Sequence, residues 1–164
     1  MEAIKALKER RSIRTFEERP IPKEVLEDIV DCGRLAATAN NAQPWEFVVV
    51  TDPQTRAQIA RLAEYGGFIA QAPACIAVFC RKRSRYFLED GSAATQNILV
   101  AARAHGVGSC WVAGYGKGYA KEVERVLNVP DDYVLVSLIA LGYSDSEPSP
   151  RKRALEDVIH WERF

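Results

Sequence analysis

Two long apolar runs stand out in this chain, CIAVFC at 75–80 and VLVSLIALG at 134–142, and neither holds a charged residue. Both are too short to cross a bilayer. An uncharged run of this length, rich in β-branched residues, reads as a strand buried on both faces, which requires helices on either side of one sheet. EFVVV at 46–50 is read the same way, and GSCWVAGYG at 108–116 as a short strand entering a glycine-rich turn. Helical patterns lie between them. Residues 2–10 place Ile4 and Leu7 on one face, and the segment from Ile21 spaces Val25, Leu26, Ile29 and Val30 helically, with Pro22 in its first turn. Asp52-Pro53 is an N-cap followed by a proline at the first helical position. The small-residue run EDGSAATQNILVAARAHG forms a long helix stopped by Gly106, and YAKEVERVLNVP a shorter one ending before Pro130. Strands alternating with helices give a layered α/β fold.

At 164 residues the chain reads as one domain, 1–164, long enough for a full core. Twenty-two basic and 22 acidic residues cancel, which argues against general nucleic-acid binding. Positive charge is instead local: Arg10, Arg11 and Arg14 around Ser12, RKRSR at 81–85, and RKR at 151–153. RKRSR is read as a solvated face. Cys75, Cys80 and Cys110 lie inside apolar runs as small buried hydrophobes, and no C-x-x-C pair occurs. His105 and His160 lack companions at ligand spacing, so no metal site is expected. The charged N-terminal segment does not read as a secretory signal, and the expected location is the cytoplasm.

Four segments carry more than packing: RRSIR at 10–14, NNAQPWEF at 40–47, DGSAATQNILVAARAHGVGSCW at 90–111, and RKRALEDVIHWERF at 151–164. In this order and spacing the chain resembles the nitroreductase family of FMN-dependent oxidoreductases over essentially its whole length. The resemblance implies an α+β fold, a mainly antiparallel or mixed central sheet flanked by helices. It also implies a homodimer with FMN at the interface. The C-terminal arm, about 145–164, would be exchanged between protomers, which would give ALEDVIHWERF apolar surroundings.

Roles follow residue by residue from the resemblance. Arg10 would contact the FMN phosphate or ribityl chain, with Arg151 and Arg153 reaching the same phosphate; a dianion favours bidentate, permanently charged donors. By its place after a helix, Arg10 could equally be a cation at a helix C-terminus. Arg11, through its main chain, and Ser12 would follow the ring and ribityl edge. Arg14 would stand near N1 and the C2 carbonyl, where reduction places negative charge. Thr38, Ala39 and Asn41 would touch the flavin of the neighbouring chain. The family's frequent Pro-Ser pair is Ala37-Thr38 here, which leaves the path of 37–43 open. Val112, Ala113 and Gly114 would lie beside the ring, with a main-chain N–H of this turn directed at N5. Gln43 and Trp45 are read as structural, Gln96 and Asn97 as satisfying buried backbone, and Ala93, Ala94 and Ala101 as surfaces for close helix approach or dimerisation. Tyr86 and Phe87, then Tyr65 and Phe68, are candidate substrate contacts.

The activity so implied is ping-pong transfer of hydride from NADH or NADPH through flavin N5 to an electron-poor acceptor such as a nitroaromatic or quinone. No side-chain acid or base is assigned. Reductive dehalogenation and flavin fragmentation are alternatives within the fold. A non-catalytic nucleotide- or RNA-binding module is an alternative outside it, although no aromatic-rich basic strand supports it.

Overall fold

The computed structural model describes residues 2–164. Its centre is β2 (Ala74–Arg81) beside β4 (Tyr133–Gly142), the two uncharged runs, paired antiparallel from Ala74↔Leu141 to Arg81↔Tyr133. β1 (Trp45–Val50) and β3 (Gly108–Ala113) flank them in the order β1-β2-β4-β3, with every pairing antiparallel. Among the described residues, the one parallel feature is a single bridge, Ser12↔Ser109.

Strand alternation divides the core into two layers. Ala74, Ile76, Val78 and Cys80 face α2 (Lys23–Arg34) and α4 (Phe87–Ala104). Cys75, Ala77 and Phe79 face α3 (Pro53–Leu62) and α5 (Ala120–Val126). Gly33 makes the α2–α4 crossing close, since a Cβ there would lie 2.7 Å from Ile98 Cγ1. Asn97 of α4 donates to the Cys32 carbonyl of α2 at 3.0 Å. Asp52 caps α3 as its sequence indicates, accepting from the Thr55 amide at 2.7 Å.

The register of β4 against β2 shifts between Val78 and Phe79: Ser137 opposes Val78, Leu135 opposes Phe79, and Val136 has no partner on β2. Such a bulge redirects the backbone locally. The Val136 carbonyl turns to the end of β3, accepting from Gly114 N–H and Tyr115 N–H at 3.1 Å each. A packing irregularity thus anchors the glycine turn.

Several sequence readings change in three dimensions. β1 is an edge strand rather than a fully buried one, with Glu46 and Val49 exposed. Its β-branched run borders a groove of about 830 Å³ walled by Ile21, Leu26 and Val30. On α1 (Ala3–Glu9), Ile4 and Leu7 face outward and the buried residue is Ala6. Gln96 is exposed, so only Asn97 satisfies backbone. Ala94 and Ala101 pack within this chain's own core. Residues 151–164 are exposed throughout, with one 3₁₀ turn at Leu155–Asp157. Among the described residues, no helix is long and apolar enough to cross a membrane.

Candidate functional site

The site begins where α1 stops. Arg10 N–H closes the helix on the Ala6 carbonyl at 2.9 Å, and the chain then runs extended beside β3. Ser12 bridges Ser109, and Ile13 N–H donates to the Ser109 carbonyl at 2.9 Å while its side chain is buried. In an extended segment alternate residues share a side. Arg10, Ser12 and Arg14 all act on the same buried thiol of Cys110 on β3. Burial pushes that thiol up, and Arg14, Ser12 and Arg10 each pull it back. Arg11 turns away: its Nη1 donates to the Lys8 and Arg10 carbonyls at 2.8 Å, so its side chain caps the C-terminus of α1.

Two cavities open along this segment. One, about 410 Å³, is lined by Lys8, Arg10, Arg11 and Arg103 together with Ser109 and Ser149. Glu9 and Glu147 also line it, and Glu9 is engaged by Arg103 at 2.9 Å. Arg103 Nε is buried and has no hydrogen-bond partner among the described residues. The other, about 400 Å³, is lined by Arg14, Phe68, Trp111, Val112, Ala113 and Tyr119. The Arg14 guanidinium stands 5.9 Å from the centre of the Phe68 ring. The Tyr119 hydroxyl donates to the Ala113 carbonyl and so holds the turn that follows β3. Burial and Glu64 both push the Tyr119 hydroxyl up, which keeps it a donor.

Gly114 is required by close approach. A Cβ there would lie 2.6 Å from Leu135 Cγ and 3.0 Å from the Val136 backbone. The Gly114 and Tyr115 amides both donate to the Val136 carbonyl, which fixes the turn just after Ala113.

The remaining predicted residues lie elsewhere. The loop before β1 is held from below by Asp90 in the first turn of α4. Thr38 donates its hydroxyl to Asp90 at 3.1 Å, Ala39 its amide at 3.1 Å, and Gln43 its amide to the Thr38 hydroxyl at 3.2 Å. Asn40, Asn41 and Gln43 take left-handed backbone, with φ of 51°, 55° and 45°. This is the path of 37–43 that the sequence left open. β1 and β3 occupy opposite edges of the sheet, about 14 Å apart at three strand spacings. One chain therefore unites Arg10, Arg11, Ser12 and Arg14 with Val112, Ala113 and Gly114, whereas Thr38, Ala39 and Asn41 line neither cavity. Arg151 and Arg153 are exposed and line neither; Arg153 donates to the Asp157 carbonyl of its own arm.

Of the aromatic candidates, Tyr65 and Phe68 line the second cavity, while Tyr86 and Phe87 do not. Phe87 packs edge-on against Tyr115 with ring centres 5.1 Å apart. Sequence reasoning passed over Arg103, Cys110, Trp111, Lys117 and Tyr119, all at one of the two cavities. Lys117 and Tyr119 had a signal, their closeness in sequence to the glycine turn; Arg103 had none.

Comparison with known proteins identifies the family and the fold. The family model described as "Nitroreductase family" matches residues 7–66 and 60–143. A protein of Archaeoglobus fulgidus, provisionally named NADH dehydrogenase/NAD(P)H nitroreductase, is 37% identical over 172 residues, covering 99% of each chain. An iodotyrosine deiodinase of Thermotoga neapolitana is 26% identical over 182 residues, covering 96% of each. The solved structure of an FMN-dependent nitroreductase from Clostridium difficile R20291 superposes with a TM-score of 0.92 at 30% identity, covering 98% of this chain and 99% of that one. The chain belongs to the nitroreductase family of oxidoreductases.

Proposed function

We propose that this protein is an FMN-dependent NAD(P)H oxidoreductase acting on an electron-poor small molecule, a nitroaromatic or a quinone. One observation carries the reading: a single extended segment, Arg10 to Arg14, joins a cavity rich in cations to a cavity lined by aromatic and apolar groups. FMN has that polarity, a phosphate dianion at one end and a flat ring at the other. The donor set fits. Lys8, Arg10 and Arg103 outnumber the carboxylates around the first cavity, and the buried Arg103 Nε has a donor to spare.

Arg10 would hold the phosphate, joined by Arg151 and Arg153 of a C-terminal arm, each charge-assisted contact contributing about 1.5–3 kcal/mol. Ser12 would meet the ribityl chain, and Val112, Ala113 and Gly114 the ring. Arg14 would face the ring's pyrimidine edge and stabilise negative charge there. Phe68 and Trp111 would exclude water from the ring. Bound FMN supplies the two-electron chemistry, accepting hydride from NAD(P)H and delivering it to the acceptor.

The functional unit in this reading is a homodimer, with Thr38, Ala39 and Asn41 completing the partner's site. The separation of those residues from β3 supports it. So do the outward-facing Ile4 and Leu7 and the exposed Leu155, Val158, Ile159 and Trp161 of the arm. The groove beside edge strand β1 would seat the partner's arm. Buried Arg56, at its wall, offers an Nε with no partner among the described residues. The test is reconstitution: purified protein should take up one FMN per chain and then oxidise NADH or NADPH with a nitroaromatic or quinone. A halogenated phenol tried alongside distinguishes dehalogenation. Protein that binds no added FMN contradicts the proposal.

A further inference from the structure

We infer that Asp90 is a positioning residue, which sets the 38–43 loop in the shape that the partner's flavin requires; the inference rests on the FMN reading. Asp90 is 4% exposed, and a carboxylate so buried needs compensation. It lies in the first turn of α4, where the helix dipole favours negative charge. Its two oxygens accept from the Thr38 hydroxyl and the Ala39 amide, and the Thr38 oxygen accepts in turn from the Gln43 amide. Carboxylate, hydroxyl and amide thus form a relay that ties the start of the loop to its end.

Within that tie, three non-glycine residues hold left-handed backbone. Asparagine tolerates this region better than most residues, and glutamine less well. Strain of this kind persists only where surrounding contacts enforce it, and here those contacts converge on Asp90.

The same turn of α4 also abuts the other half-site. Phe87 meets Tyr115 of the glycine turn. Gly91 lets the helix approach Val136, the residue whose carbonyl anchors that turn; a Cβ at Gly91 would lie 2.8 Å from Val136 Cγ2. The half-site this chain keeps and the half-site it offers are therefore built on one helix end.

The test compares Asp90→Ala, Asp90→Asn and Thr38→Val with the parent, by amide hydrogen exchange on the flavin-free protein and by FMN titration. Asp90→Ala and Thr38→Val should speed exchange at the Ala39 and Gln43 amides at least tenfold and leave the β2 amides unchanged, and Asp90→Ala should weaken FMN binding about tenfold. Asparagine can turn its one oxygen to the Ala39 amide and donate its NH2 to the Thr38 hydroxyl oxygen, which still accepts from Gln43. Asp90→Asn should therefore stay within threefold of the parent in both measurements. If Asp90→Ala does not fold, amide exchange in Thr38→Val, made on the half-exposed loop, decides the matter; its FMN affinity does not bear on Asp90, because Thr38 is itself a proposed flavin contact. Unchanged exchange at Ala39 and Gln43 overturns the inference. So does Asp90→Asn behaving like Asp90→Ala, or a loop loosened in Asp90→Ala with unaltered FMN affinity. A parent that binds no FMN refutes the flavin reading instead, and the exchange data still decide whether Asp90 sets the loop.

Discussion

Ser12 and Ser109 meet in one parallel bridge, and this short join carries the N-terminal arginines alongside β3. Because the bridge lies between Arg10 and Arg14, the two guanidiniums serve different cavities.

A division of labour follows. Arg14→Ala should slow reduction of the bound flavin by NAD(P)H more than it weakens FMN binding. Arg10→Ala should do the reverse, weakening FMN binding about tenfold, which corresponds to about 1.4 kcal/mol, with little effect on the reduction rate. Stopped-flow reduction and equilibrium titration measure the two quantities. Equal effects of each substitution in both assays would refute the division.

Gly114 tests the bulge. Its missing side chain lets the turn after β3 sit against Leu135 and Val136. Gly114→Ala should cost about 1–3 kcal/mol by overpacking and lower Tm by several degrees in a calorimetric melt. An unchanged Tm would mean that the turn has slack.

The arm is tested by removing it. Under the proposed arm exchange, truncation after Pro150 removes Arg151, Arg153 and the apolar residues beyond together, and should yield a monomer that retains no FMN. A truncated protein still fully dimeric and flavin-loaded would argue against arm exchange.

Asp52 predicts a pH dependence. Hydrogen bonds from Thr55 hold its carboxyl below the ordinary value of 3.8. A depressed folded value means that the cap stabilises fully above 3.8 and fades as pH falls through the lower folded value. The Tm gap between the parent and Asp52→Ala should be constant near neutrality and shrink in acid. A gap that widened in acid would reverse the sign.

How much of this was legible beforehand depends on the range of the interaction. β2 and β4 could be read because an uncharged run already records burial on both faces. The Asp52 cap could be read because donor and acceptor lie three residues apart. β1 has the same local composition as an interior strand, yet its place at the edge depends on which strands pair. Asp90 and Thr38 are 52 residues apart, and neither residue alone signals the other. The resemblance assigns Arg11 a role only through its main chain, and nothing local indicates where its side chain goes. Only the fold shows its guanidinium turned back onto the Lys8 and Arg10 carbonyls. Resemblance to the family supplied the roles proposed for Arg10, Ser12 and Arg14. The bulge at Val136, which holds the turn after β3, was visible in neither the residues nor the motifs.

The central claim is that the cation-rich cavity and the aromatic one together hold a flavin that NAD(P)H reduces. Anaerobic titration of the FMN-loaded protein with NADH, and separately with NADPH, tests it most directly. The account predicts that the flavin's visible absorbance bleaches stoichiometrically with at least one donor and returns when a quinone or nitroaromatic is added. A protein-bound flavin that neither donor bleaches would contradict it.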